Sequence, residues 1–195
     1  DIANAPREEA QNRRGMVGVV PLLKIAGAAA LAGKDLEEVA TIAQGFADNM
    51  ATLAVAASGA TNPATGMEIA QVAAGCMEVG VGLHGEAGKA KPMATAEETV
   101  GIMLDALLED LNVLAEEKLM VIVSGNGATS LMEQLIVYRN CYAYLVEKEI
   151  EIVASHVGEL MTVQEMAGFE ICIARMNEEL VEYWNAPCRT PYFKK

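Results

Sequence analysis

Basic residues are scarce in this sequence: 14 lysines and arginines stand against 27 aspartates and glutamates, leaving a formal charge of −13. Such a balance repels polyanions unless the basic residues are locally concentrated, which argues against nucleic-acid binding. Cysteine is sparse as well. Cys76, Cys141, Cys172 and Cys188 form no C-x-x-C pair, so neither a zinc knuckle nor a redox motif is written. They read as reduced thiols, and the expected compartment is the cytoplasm. No basic-then-apolar leader opens the chain. The two long weakly charged stretches are both unsuited to a membrane: 15–32 carries Lys24 at its centre beside Pro21, and 49–67 is broken by Thr61, Asn62, Pro63 and Thr65. Also missing are a G-x-x-x-x-G-K-[ST] loop, a G-x-G-x-x-G fingerprint with an acidic residue placed for a ribose, and a G-x-S-x-G nucleophile turn. No nucleotide site and no acyl-transfer centre is expected in this chain.

What is present is apolar substance. With 52% hydrophobic residues in 195, the chain can bury a full core as one domain or as one lobe of something larger. The first fourteen residues, DIANAPREEAQNRR, read as an irregular entry segment, and 15–195 as the ordered lobe. A small-residue helix over 15–32 stops at Gly33. Asp35 caps a second helix with Glu38 three residues on, its buried stripe expected at Leu36, Val39, Ile42, Phe46 and Met50. Residues 51–58 read as a strand followed by a turn at Asn62, Pro63 and Gly66. Thr95 and Glu98 open the most regular helix, with Val100, Met103, Leu104, Leu107, Leu108 and Leu111 on one face. LMVIV at 119–123 reads as a central strand covered on both sides, and Ser130 with Glu133 caps the helix after it. Strands are expected over 150–157 and 169–176, with Gly168 marking the turn between them as antiparallel neighbours, then a helix over 178–184. The class is α/β, with a mixed β-sheet flanked by helices.

In CMEVGVGLHGEAG, Met77, Val79, Val81 and Leu83 alternate with Glu78, Gly80, Gly82 and His84, so one set faces a core and the other an opening, with His84 at the strand's end. Gly80 and Gly82 share the face of His84 and leave a shallow floor beside the imidazole, while Gly85 and Gly88 let the chain turn around it. The same glycines would equally serve a crowded sheet or a bulge. His156, sharing a face with Ile152 and Ala154, reads as structural. A metal site would need both histidines to converge with a carboxylate such as Glu86, which the spacing does not demand, so no metal is expected. The SGNGATS loop at 124–130 has the form of an anion cradle but lacks a lysine. The acidic pairs Glu8-Glu9, Glu97-Glu98, Glu116-Glu117 and Glu178-Glu179 read as surface, and Trp184, Tyr138, Tyr142 and Tyr144 as core or interface.

MEVGVGLHGEAG from Met77 resembles the strand and loop around the substrate-binding histidine of the dihydroxyacetone kinases, in their DhaK subunit or domain. Arg13-Arg14-Gly15, KIAGAAA from Lys24, GNGAT from Gly125 and MAGFEICIARMNEELVEYWNAPCRTP from Met166 follow in the family's order and cover nearly the whole chain. The resemblance implies that His84 adds through a ring nitrogen to the ketone carbon of dihydroxyacetone, or of a similar short ketose, to give a hemiaminal. The family's chain also has a preceding lobe with a Gly-Ser-Gly-His type segment and an aspartate general base, of which this sequence holds no counterpart. It resembles the second lobe alone, and His84 is the one catalytic residue carried over. ADP or ATP with magnesium is then expected on a nucleotide-carrying, DhaL-like partner subunit or domain, with a separate subunit of the phosphotransferase-system type slightly favoured. Family members pair as homodimers. A ketose sensor acting through a partner, and a dimerisation lobe with a vestigial histidine, are the alternatives.

Overall fold

A computed structural model describes residues 2–82 and 86–195. Its elements are a 3₁₀ turn at Arg7–Asn12, then α1 (Val19–Leu31), α2 (Leu36–Asp48), β1 (Met50–Ala56), β2 (Ala60–Thr61), β3 (Glu68–Ile69), β4 (Cys76–Val79), β5 (Lys89–Pro92), α3 (Ala96–Leu111), β6 (Lys118–Gly125), α4 (Leu131–Glu147), β7 (Glu151–Gly158), β8 (Gly168–Arg175) and α5 (Glu178–Asn185). Three helices start where side chains can satisfy the orphan amide groups of a first turn. Asp35 with Glu38, Thr95 with Glu98 and Ser130 with Glu133 each form the reciprocal capping box.

The sheet has six strands in the order β5-β4-β1-β8-β6-β7, and β2 pairs with β3 as a separate hairpin. The class is mixed α/β, as the alternation of elements implies. Only the β6–β7 pairing is parallel among the described strands. The expected adjacency of the last two strands is corrected: β6 lies between them, antiparallel to β8 and parallel to β7. Gly168 is no turn but the first residue of β8, opposite Ala56.

Period-two alternation along β6 divides the core. Leu119, Val121 and Val123 pack under α3 and α4, while Met120 and Ile122 pack under α1, α2 and α5. A strand buried on both faces has to be apolar at every position, which is why LMVIV reads as one run. In α2 the expected stripe holds at Phe46, which is buried, and at Val39 and Ile42, which pack partly buried against the same core. Leu36 is exposed at the helix start, and Met50, though packed there too, already belongs to β1.

The first residues are not irregular throughout. Arg7 and Arg13 both bond the carboxylate of Asp110 at the end of α3, and Ile2 N donates to Thr52 O. This clamp lays the opening segment against β1.

Candidate functional site around the loop after β4

Met77 and Val79 of β4 are buried, and the strand stops at Val79. Gly80 follows with φ +93°, a left-handed conformation that favours glycine, and its N–H donates to Ala54 O at 2.7 Å. A Cβ on Gly80 would lie 2.5 Å from that of Ala3, so the opening segment takes up the space a side chain would need. Val81 is buried among Met16, Ala54, Ala56, Ala60 and Met166.

Leu83, His84 and Gly85 lie outside the described residues. Their two flanks are held together: Gly82 N donates to Glu86 O at 2.9 Å, and Gly88 N donates to Glu78 Oε2 at 3.2 Å. Glu86 fills the space over Gly82, where a Cβ would lie 2.2 Å from its Oε2. Arg14 Nε then approaches Glu86 Oε1 at 3.4 Å. The family-like stretches at 13–15 and 77–88 therefore meet in space, though they are far apart in sequence.

One buried carboxyl beside this junction escaped the sequence reading. Glu170 on β8 is fully buried, and its Oε2 accepts from Val17 N at 2.8 Å, just before α1. Its Oε1 has no hydrogen-bond partner among the described residues. Burial pushes the carboxyl up to about 7, against the opposing pull of the Val17 amide. The signal was present as a lone acid inside the otherwise apolar run FEICIA.

The loop after β6 is already filled by the protein. Glu159 accepts from Gln134 Nε2 and from the Gly127 backbone, and Thr129 Oγ1 donates to Gly168 O at 2.6 Å. Gly127 has φ +122°, and a Cβ there would lie 1.8 Å from Gln164 O. A carboxylate of the protein itself thus occupies the loop amide, as an anion would at a helix N-terminus.

His156 sits on the far edge strand β7, its ring 5.3 Å from that of Phe193, and burial, then the charge of Lys195, lowers its basicity. It is not brought to Glu86. Among the described residues no group of three or more histidines, cysteines or acids is placed to hold a metal ion. Trp184 is core, Tyr142 is exposed, and Tyr144 donates to Asp105. No described helix is long and apolar enough to cross a membrane.

The model of the Dak1 domain matches residues 1–192. Over its whole length the chain is 36% identical to the L-erythrulose kinase of Pectobacterium atrosepticum, of which it spans 34%. It is equally 36% identical, again over its whole length, to the dihydroxyacetone-binding subunit DhaK of the PTS-dependent dihydroxyacetone kinase 2 of Listeria innocua, of which it spans 58%. Among solved structures, the dihydroxyacetone kinase operon co-activator DhaQ superposes with a TM-score of 0.88 at 25% identity, over 96% of this chain and 58% of that one. The chain thus spans from about a third to under two thirds of the length of these relatives.

Proposed function

This chain belongs to the Dak1 domain family, and from that membership we propose that it is the ketose-binding part of a dihydroxyacetone-type kinase, with His84 as the residue that holds the substrate. The observation that carries the reading is the family match over 1–192, with MEVGVGLHGEAG inside it.

In the proposed step, the lone pair of a neutral His84 ring nitrogen attacks the ketone carbon. A C–N bond forms, the C=O π pair passes to the oxygen, that oxygen takes up a proton, and the ring gives up its other N–H proton. The product is a neutral hemiaminal. The bond selects carbonyl compounds over glycerol and holds the terminal hydroxyl for phosphoryl transfer, where positioning supplies much of the rate. The bonds from Gly82 to Glu86 and from Arg14 to Glu86 support the reading, because they fix both flanks of 83–85 to the lobe.

The substrate class is the short ketoses, dihydroxyacetone and the four-carbon erythrulose named for the relatives. The general base and the phosphoryl donor come from segments or subunits other than these 195 residues: a first lobe, and a DhaL-like subunit or domain carrying ADP or ATP with magnesium. Gly80 and Gly82 do not leave the open floor expected of them, since Ala3 and Glu86 occupy that space. Their part is to let these residues pack against the loop that carries His84, Gly85 leaves room beside the ring, and the assembly is a homodimer in the cytoplasm.

A second reading, a ketose sensor acting through a partner, is favoured by the likeness to the DhaQ co-activator. Complementation separates the two. With a first lobe and a donor subunit added, the kinase reading expects phosphorylation of dihydroxyacetone that His84→Ala lacks. Full turnover by His84→Ala contradicts it, and ketose-dependent partner binding without turnover supports the sensor.

A further inference from the structure

Among the described residues, no other element covers one apolar face of helix α1. Leu23 is 67% exposed and Leu31 85%, and with Val20 and Gly27 they stand at the spacing of one helical face. Phe193 contributes to the opposite wall of a groove of about 370 Å³.

Two features make this groove more than bare surface. The first is its floor. A glycine inside a helix is destabilising relative to alanine, and packing does not require one at Gly27, since a Cβ there would meet no atom within 4 Å. What the missing side chain does is keep the floor open.

The second is charge. Lys24 is 8% exposed, and its Nζ donates to Tyr183 O at 2.6 Å, a bond that uses one of an ammonium's three N–H groups. Burial lowers the basicity of Lys24, and Lys195, which sits over the Trp184 ring and does not line the groove, has its own lowered by burial and then by the charge of Lys24. None of the described residues lining the groove is acidic, in a chain whose net charge is −13.

We propose that this groove binds an amphipathic monoanion, its headgroup at Lys24 and its alkyl chain laid over Gly27 between Leu23 and Leu31. Positive charge at one place and an open apolar trough beside it call for an acid with a hydrocarbon tail. A free medium-chain carboxylate is the source the groove fits. The site is separate from the loop after β4, and the proposal does not rest on the role of His84.

Trp184, the single tryptophan, is the reporter. Its ring lies 6.0 Å from that of Phe193 and 4.2 Å from Lys195 Nζ. Titrating the 195-residue chain with dodecanoate below its micelle concentration should change the emission saturably. Dodecanol should bind about tenfold more weakly for want of the charge. Decanoate should also lose about tenfold, for two methylenes, and acetate should give no change.

Gly27→Leu fills the floor and Leu31→Asp charges an exposed wall. Each should weaken dodecanoate by about tenfold or more with the circular dichroism unchanged. Equal affinity for dodecanol and dodecanoate, or unaltered binding by both variants, overturns the proposal. So does a finding that Leu31→Asp turns a dimer into a monomer in sedimentation while dodecanoate affinity stays the same, which would give this face to a second copy.

Discussion

Arg14 Nε lies 3.4 Å from Glu86 Oε1, and this contact joins the segment that enters α1 to the loop that follows β4. The pair is partly solvated, with side chains 48% and 26% exposed. A pair so placed contributes at most about 1 kcal/mol to stability. Arg14→Ala should therefore leave the thermal midpoint nearly unchanged and yet weaken ketose retention, because its effect is on the loop's position. Calorimetric unfolding beside a ketose-binding titration checks the split, and a variant that loses stability and keeps binding refutes it.

Asp110 sets the acid limit of the opening segment. Burial raises its carboxyl, but the hydrogen bonds from Arg13 and Arg7 outweigh burial and hold it below the ordinary aspartate range. A folded-state carboxyl that is the stronger acid contributes stability above the unfolded value of about 4 and loses it as pH falls further. Asp110→Asn should cost about 1.5–2 kcal/mol at neutral pH, and it should flatten urea-midpoint profiles below about pH 4.

Glu170 produces the opposite slope in a different window. Its folded carboxyl is raised to about 7 by burial, whereas an unfolded glutamate titrates near 4. The native state therefore holds the proton more tightly, and stability falls as pH rises from about 4 to about 7, then levels. Glu170→Gln should remove that fall in denaturation midpoints measured across the interval. An unchanged slope would show that another group causes it.

Two glycines should respond to alanine with opposite signs. Gly127 combines φ +122° with a Cβ position 1.8 Å from Gln164 O, so Gly127→Ala should destabilise by about 3 kcal/mol or more. Gly27 has helical backbone and open space around it, so Gly27→Ala should stabilise by about 0.5–1 kcal/mol. Paired chemical denaturation curves test both.

Local chemistry is what the sequence made legible. The capping pairs at 35/38, 95/98 and 130/133 and the doubly buried LMVIV strand depend on neighbours within a few residues, and all are found. Long-range pairing was not legible: nothing in 150–176 shows that β6, laid down earlier, separates β7 from β8. The same holds for Arg7 and Arg13 in the entry segment, which read as irregular but is anchored by Asp110 at the end of α3. Along β4 the alternation correctly marked Met77, Val79 and Val81 as buried, but it could not show that the strand ends at Val79, where Gly80 turns into the left-handed region. For the loop at Gly127 the sequence showed a cradle-like form without a lysine, but not that Glu159, remote in sequence, fills it. His84 was singled out by its neighbours and by the family resemblance, and it lies outside the described residues.

The most direct test of the ketose-trapping account is carbon NMR of the protein with dihydroxyacetone labelled at its carbonyl, run with a first lobe supplied. The account predicts a new tetrahedral carbon signal in the native sequence that disappears in His84→Ala. The same signal persisting in His84→Ala, or no such signal from a native assembly that phosphorylates the ketose, would contradict it.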